Sequence, residues 1–187
     1  IKGLEALIRA AARLRDMGHA PHVVIAGPVF ARQGGYHRRL ETLAGKLGVD
    51  RLHFVGARAD VRPVLKQLDV YVCCSAAESS PVSVWEAMAM MRPIVSTDVG
   101  DVARHVRNGE AGFIVPTGDD AAMADRVARL LDDPDRQARM GAAAREAAQV
   151  FQPEEIAHLT LGVYERVLAS YQSCNAQRHS LQSNKSD

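Results

Sequence analysis

Two glutamates, Glu78 and Glu86, stand eight positions apart in the stretch SAAESSPVSVWEAMAMM at residues 75–91. The first lies just before a helix start signal and the second inside the helix. Ionised carboxylates accept hydrogen bonds and donate none, so such a pair suits the hydroxyls of a sugar or a ribose. The helix start between them suits an anion. Ser79 or Ser80 is placed to cap the first turn, and Pro81 to take the first helical position, where the amide it lacks has no partner to lose. The Val82 and Ser83 N–H groups would then sit at the positive end of the helix dipole, worth about half an elementary charge, and form a seat for phosphate. A plainer use is also open to these residues, and spacing alone favours it: Glu78 complementing the dipole and Glu86 solvated on a helix surface.

The elements that must position this stretch are legible around it. The apolar run Val70-Tyr71-Val72-Cys73-Cys74 reads as a buried parallel strand that ends where the glutamate loop begins. From Val82 onward, Val84, Ala87, Met88 and Met91 fall on one stripe at about 100° per residue, which turns Glu86 away from the core. Further strands are expected at about 22–26, 52–55, 93–96 and 112–115. Helices are expected from the first residues to about 17, then at about 36–47, 61–67, 120–131, 134–150 and 153–171. This alternation predicts an α/β fold, a doubly wound Rossmann-like parallel sheet with helices on both faces. Ligands of such sheets bind outside the carboxyl ends of the strands, where residues 75–91 begin. Gly34 and Gly35 read as a loop; no Gly-Lys-Ser/Thr follows to make a phosphate loop. In Thr97-Asp98-Val99-Gly100-Asp101, Gly100 gives backbone freedom and Asp101 can cap the next turn of helix. That loop either approaches a ligand or serves only as a turn.

At 187 residues the chain suits one core with a tail, and 47% hydrophobic with 24% charged residues is an ordinary globular composition. A net charge of +1 gives no reason to invoke nucleic acid. No apolar run approaches the ~20 residues that span a bilayer. Cys73 and Cys74 are adjacent in a strand and point to opposite faces, and Cys174 lies in a polar stretch, so no disulfide framework is expected and a reducing cytoplasm fits. The seven histidines show no metal-ligand spacing. One domain is expected over residues 1–172, with its final helix at about 153–171, and a disordered tail over 173–187.

The arrangement of the two glutamates in ESSPVSVWEAMAMMRPIVST, followed by DVGDV and NGEAGFIVPTGD, resembles the donor-binding half of the retaining glycosyltransferases of family 4, the group 1 glycosyl transferases of GT-B architecture. The likeness runs from about Lys2 to about Leu168. It implies one half of a GT-B fold that binds a nucleotide diphosphate sugar, most often UDP- or GDP-linked, with no cofactor and no metal. It implies that Glu78 meets the transferred sugar as the catalytic residue and that Glu86 holds the ribose. Residues Ser79, Ser80, Pro81, Val82 and Ser83 would approach the diphosphate and sugar, Lys2 the diphosphate, and Arg58 the base or phosphate. The chain departs from the family at Ser79-Ser80-Pro81, where a Gly-Phe-Gly run is common, and at Met91, where a glycine often precedes the Arg/Lys-Pro pair. The first departure removes one amide donor and stiffens the loop.

The expected function is therefore donor binding within an enzyme that passes a glycosyl group to an acceptor hydroxyl. The start of the chain, with no initiator methionine and no first strand, reads as a piece of something longer, whose amino-terminal acceptor-binding domain is missing. The fragment alone is expected to be inactive, and any peripheral membrane contact of the full-length protein would come through that other half. In GT-B enzymes a helix at the final position packs toward the amino-terminal domain, which leaves Ile156, Leu159, Val163 and Val167 exposed or repacked here. The alternatives are a non-catalytic nucleotide-sugar-binding module, the donor half of a two-chain transferase, or a GT-B epimerase or phosphorylase. The last two lack this glutamate pair.

Overall fold

The computed structural model describes residues 2–28 and 34–183, with side chains described to residue 172. The chain divides into two units, Ile1–Ala148 and Gln149–Asp187.

The first unit alternates helices and strands: α1 (Leu4–Asp16), β1 (Val23–Ala26), α2 (Gly34–Lys46), β2 (Leu52–Gly56), α3 (Arg62–Leu65), β3 (Tyr71–Cys73), α4 (Val82–Ala89), β4 (Ile94–Thr97), α5 (Val102–His105), β5 (Gly112–Val115), α6 (Asp120–Leu131) and α7 (Pro134–Ala147). Every described strand pairs in parallel, which requires the helical crossovers between them. The strands form two sheets, ordered β1-β2 and β3-β4-β5. Val23 lies opposite Leu52, Tyr71 opposite Ile94, and Ile94 opposite Gly112. β4 is buried along its whole length, as the middle strand of a covered parallel sheet must be. The structure is the expected α/β, Rossmann-like arrangement of parallel strands and flanking helices, with the sheet divided between β1 and β3.

Helix α1 ties the two sheets together because its apolar residues cover more than one stripe. Ala10 and Leu14 pack with Cys74, Val95, Phe113 and Met123, while Ile8, Ala11 and Ala12 pack with Val23, Leu40 and Ala44. Leu4 and Leu7 touch both clusters. The polar side of α1 is fastened to α6: Arg9 Nε (3.3 Å) and Arg13 Nε (2.6 Å) both donate to the Asp120 carboxylate. Asp119, one position earlier, caps α6 by accepting from the Ala122 amide at 2.8 Å.

Gly34 and Gly35, read from the sequence as a loop, form the first positions of α2. Asp101 does not cap α5 with its side chain; its backbone N–H is instead committed to Ser79 O at 3.1 Å.

In α4, Val84, Ala87 and Met88 are buried as the stripe predicts, and Trp85 joins them. Each large side chain among them contributes about 2 kcal/mol by leaving water. Met91 does not belong to the stripe. The helix ends at Ala89, and Met91 takes the left-handed conformation (φ 58°) with 41% of its surface exposed. A side chain in that conformation costs about 1–2 kcal/mol, against about 0.5–1 kcal/mol for the chain entropy that glycine adds. Met91→Gly is therefore expected to stabilise the domain by about 0.5–1 kcal/mol, seen as a melting temperature higher by about 1–4 °C. An unchanged or lower melting point would show that the methionine's packing outweighs the strain.

The second unit contains α8 (Pro153–Ser183), which continues past the end expected near 171 because no glycine or proline follows Gly162. Of the tail expected to be disordered, residues 184–187 lie outside the described residues. On α8, Ile156, Leu159, Val163 and Val167 are all about half exposed, and Tyr164 and Tyr171 more so. Among the described residues no helix is long and apolar enough to cross a membrane.

Candidate functional site

A strand that stops and a helix that starts must leave backbone groups facing the same rim, and this rim borders one cavity of about 880 Å³. The cavity wall includes Val24 to Ala26 of β1, Tyr71 to Cys73 of β3, and the starts of α1 and α4. Its floor is mostly apolar. Its polar lining includes Lys2, Glu5, Tyr36, Ser75, Glu78, Ser83 and Glu86. The structure thus brings Lys2, Glu78, Ser83 and Glu86 to one cavity. Ser79, Ser80, Pro81 and Val82 lie in the chain between them but do not line it, and Arg58 sits exposed on the loop after β2, outside the lining.

The glutamate loop is clamped from beneath. Gly100 has φ +55°, and a Cβ there would stand 2.1 Å from Ser79 O and 2.8 Å from Glu78 O. Only glycine lets the two backbones approach this closely. From the other side, Trp85 Nε1 donates to Ser80 Oγ at 3.1 Å. That bond explains why Ser80 does not cap α4: its oxygen faces the indole. The N-cap is Pro81, in extended conformation (ψ 95°), with no side-chain cap. The expectation of a serine cap and of Pro81 at the first helical position is corrected accordingly. Val82 and Ser83 are the first residues of the helix, so their amides belong to the first turn, which has no intrahelical acceptors.

Glu78 is held by two donors on one oxygen. Lys2 Nζ and Ser75 Oγ each lie 2.7 Å from Oε1, and neither uses Oε2. Both bonds favour the ionised form, and with the Lys2 bond the larger cause the carboxyl lies below the usual glutamate range. Ser75 is itself fixed, because the buried Thr97 hydroxyl at the end of β4 donates to the Ser75 carbonyl at 2.7 Å. Lys2 is held near by Gly3 (φ +65°), where a Cβ would meet Cys74 O at 1.9 Å, so α1 starts hard against the end of β3.

Tyr71 lines the same cavity and bonds with the Ser83 side chain at the helix start. Burial pushes its hydroxyl pKa up to about 12; a bond with the Ser83 side chain opposes this and the Glu86 charge adds to it. Tyr36 donates to Glu5 Oε2 at 2.8 Å, and burial, followed by that bond, raises it to about 12 as well. Both tyrosines are therefore neutral hydroxyls able to donate or accept at neutral pH.

Sequence reasoning did not find Ser75, Thr97 or Tyr71. Ser75 had one available signal: it is the first residue beyond Cys74, at the carboxyl end of a strand, three positions before Glu78.

The two donors to Glu78 have a titratable consequence. Ser75→Ala is expected to raise the Glu78 pKa, and Lys2→Ala to raise it further, read by carbon-13 NMR of the carboxyl. Because the folded pKa lies below the unfolded value of about 4.3, this group's stabilisation is present above that pH and fades as pH falls through the folded pKa. Both variants should show a weaker pH dependence of stability in that acid window. A Glu78 titration unmoved in both would contradict the bonding described.

Comparison with known proteins gives a consistent set of likenesses. The family model described as Glycosyl transferases group 1 matches residues 1–147. Alpha-D-kanosaminyltransferase of Streptomyces kanamyceticus is 36% identical over 142 residues, covering 74% of this chain and 36% of the relative. Sucrose-phosphate synthase of Thermosynechococcus elongatus superposes with a TM-score of 0.80 at 29% identity, over 90% of this chain and 43% of that one. Anabaena HepE, solved in complex with UDP and glucose, gives 0.78 at 23% identity over 90% and 45%, a likeness of fold. The chain spans less than half the length of the curated relatives it matches.

Proposed function

This chain belongs to the group 1 glycosyl transferases, and from that premise we propose that it is the donor-binding domain of a retaining glycosyltransferase of GT-B architecture. The observation that carries the reading is that Glu78 and Glu86 line one cavity on either side of the α4 start. A nucleotide diphosphate sugar fits the chemistry of that rim. Glu86 accepts the ribose hydroxyls, the first-turn amides at Val82 and Ser83 face the diphosphate, and Glu78 accepts from the sugar. Lys2, 68% exposed at its side chain, gives up little when it leaves Glu78 for the diphosphate, since exposed ion pairs contribute about 0–1 kcal/mol. Ser79, Ser80 and Pro81 set the course of the loop, and Arg58 meets the base or phosphate from the loop after β2. That a fold neighbour was solved with UDP and glucose supports the same use of the architecture.

Chemically, transfer from such a donor needs charge stabilisation as the diphosphate leaves. Donors aimed at that charge contribute most, and loss of one well-placed donor costs about 3 kcal/mol of barrier. Lys2 and the α4 amides are the groups in this chain that meet the requirement. UDP or GDP is the expected base class, the acceptor is a hydroxyl held by a further domain, and the chain alone binds donor without transferring it. We place the enzyme in the cytoplasm, with any membrane contact made through that further domain.

Calorimetric titration of the chain with UDP, GDP, ADP and their sugar conjugates tests this reading. Weak saturable binding of one nucleotide class, with no transfer to added acceptors, is the expected result. Absence of heat with every nucleotide at millimolar concentration would overturn it.

A further inference from the structure

His19, His37 and His105 each lie beside a carboxylate, Asp132 at 3.7 Å, Glu41 at 3.4 Å and Asp101 at 4.0 Å. His22 and His53 differ. Among the described residues each has the other's ring as its polar partner, with His22 Nδ1 standing 3.0 Å from His53 Nε2. The ring planes differ by 13° and the centroids are 5.2 Å apart, close to the N···N distance plus the two ring radii, so the imidazoles meet end to end rather than face to face. One of these nitrogens donates its N–H and the other accepts with its lone pair. Both side chains are exposed. Arg51, two positions before His53, is turned aside to donate to Ala20 O at 3.2 Å.

The two histidines are 31 positions apart, and the β1–β2 ladder removes that distance. His53 pairs with Val24 across the parallel ladder, and His22 lies two residues before Val24, so alternation sends both rings to one face as diagonal neighbours. The Val23 amide, next in the ladder, donates to Arg51 O at 2.8 Å and fixes the register at this point. No ligand spacing shows along the chain because the spacing belongs to the sheet.

We propose that His22 and His53 form a two-imidazole site for a late first-row transition ion, Cu²⁺ above all, that clamps β1 to β2. Imidazole suits Cu²⁺, Ni²⁺ and Zn²⁺, whereas Mg²⁺ and Ca²⁺ require oxygen ligands that this pair lacks. The spacing narrows the choice. Two nitrogens bound at about 2.0–2.1 Å to one ion stand about 2.9 Å apart at a right angle and about 3.3 Å apart at the tetrahedral angle. The 3.0 Å separation lies nearer the right angle, the tetragonal geometry of Cu²⁺ and Ni²⁺, of which Cu²⁺ binds the tighter. Exposed rings can turn about their Cβ–Cγ bonds so that both lone pairs meet at a point beside the present N···N line. Both nitrogens must then be bare. The ring that now donates carries its proton on its other nitrogen instead, so two neutral imidazoles take the ion with no net loss of a proton, and water completes the coordination. The pair stands at the amino ends of β1 and β2, whereas α4 starts beyond the carboxyl end of β3, so the inference does not depend on what binds at the glutamate rim.

The test is calorimetric titration of the 187-residue chain with Cu²⁺, Ni²⁺, Zn²⁺ and Mg²⁺ in a non-chelating buffer. One strong Cu²⁺ site per chain is expected, tighter than Ni²⁺ or Zn²⁺ by about 10-fold or more, with no heat from Mg²⁺. His22→Gln and His53→Gln should each weaken Cu²⁺ by about 10-fold or more, because a chelate loses the effective concentration of its second arm. The double variant should fall little further, since either single change already undoes the chelate. Independent, additive losses overturn the shared site. An affinity unmoved in both variants places the ion at another histidine, such as His37 with Glu41 or His105 with Asp101, and equally overturns it. So does absence of Cu²⁺ binding at millimolar ion. A readout on the unaltered chain stands beside the variants: in nitrogen-15 spectra, Zn²⁺ must move His22 Nδ1 and His53 Nε2 together and slow hydrogen exchange at the Val23 amide by about 10-fold. Movement of other ring nitrogens in their place, or unchanged exchange at Val23, contradicts the clamp.

Discussion

Gly100→Ala is expected to destabilise the domain by about 2–5 kcal/mol. Two costs combine: about 1–2 kcal/mol for a side chain held at φ +55°, and about 1–3 kcal/mol for forcing a methyl group against the Ser79 and Glu78 carbonyls. The atoms in the way are backbone, so no rotamer change relieves the overlap. Gly109→Ala is the matched control. Gly109 has φ +85° but open space around its Cβ position, so it should bear only the conformational cost of about 1–2 kcal/mol. Chemical denaturation of the two variants measures the difference. Equal losses would mean that the approach of the Gly100 loop to the glutamate loop does not hold Glu78 in place.

Glu86→Gln and Glu78→Gln are expected to separate the two halves of the donor. Glu86 is exposed on α4 and should tolerate the change within about 0.5 kcal/mol of stability. Its carboxylate, meeting the ribose, serves nucleotide and nucleotide sugar alike, so both should bind about 10- to 100-fold more weakly, the 1.5–3 kcal/mol of a hydrogen bond to a charged group. Glu78→Gln should weaken the nucleotide sugar by a similar factor and leave the bare nucleoside diphosphate bound as before or more tightly, because Lys2 is released from its 2.7 Å pair. Competition titrations with UDP and UDP-sugar, or the guanosine pair, read the split. If both variants lose both ligands equally, the carboxylates share one role and the assignment of sugar to Glu78 is wrong.

What the sequence disclosed and what it withheld follow from the range of the forces involved. The strands and crossovers were legible because burial imposes periods along the chain: the run at Val70–Cys74 and the stripe of Val84, Ala87 and Met88 both appear where expected. Met91 was misplaced on that stripe because a helix end depends on one residue's φ, which periodicity does not encode. The serine cap was a local inference defeated by a nearby side chain, since Trp85 claims Ser80 Oγ. The support of Glu78 came from residues that lie close to it only after folding: Lys2 is 76 positions away and Thr97 reaches it through Ser75. The sequence reading expected a single sheet, whereas the described strands form two, β1-β2 and β3-β4-β5, because strand order depends on neighbours far apart in the chain.

The central claim is that the start of α4, flanked by Glu78 and Glu86, is where a nucleotide diphosphate sugar sits. Its most direct measurement is amide NMR of the chain titrated with UDP- and GDP-sugars. The account predicts saturable shifts at Val82 and Ser83, accompanied by shifts at Gly3 and Gly100 as the rim responds. Shifts confined to the exposed basic residues Arg38, Arg39 and Lys46 of α2, or no shift anywhere at millimolar ligand, would contradict it.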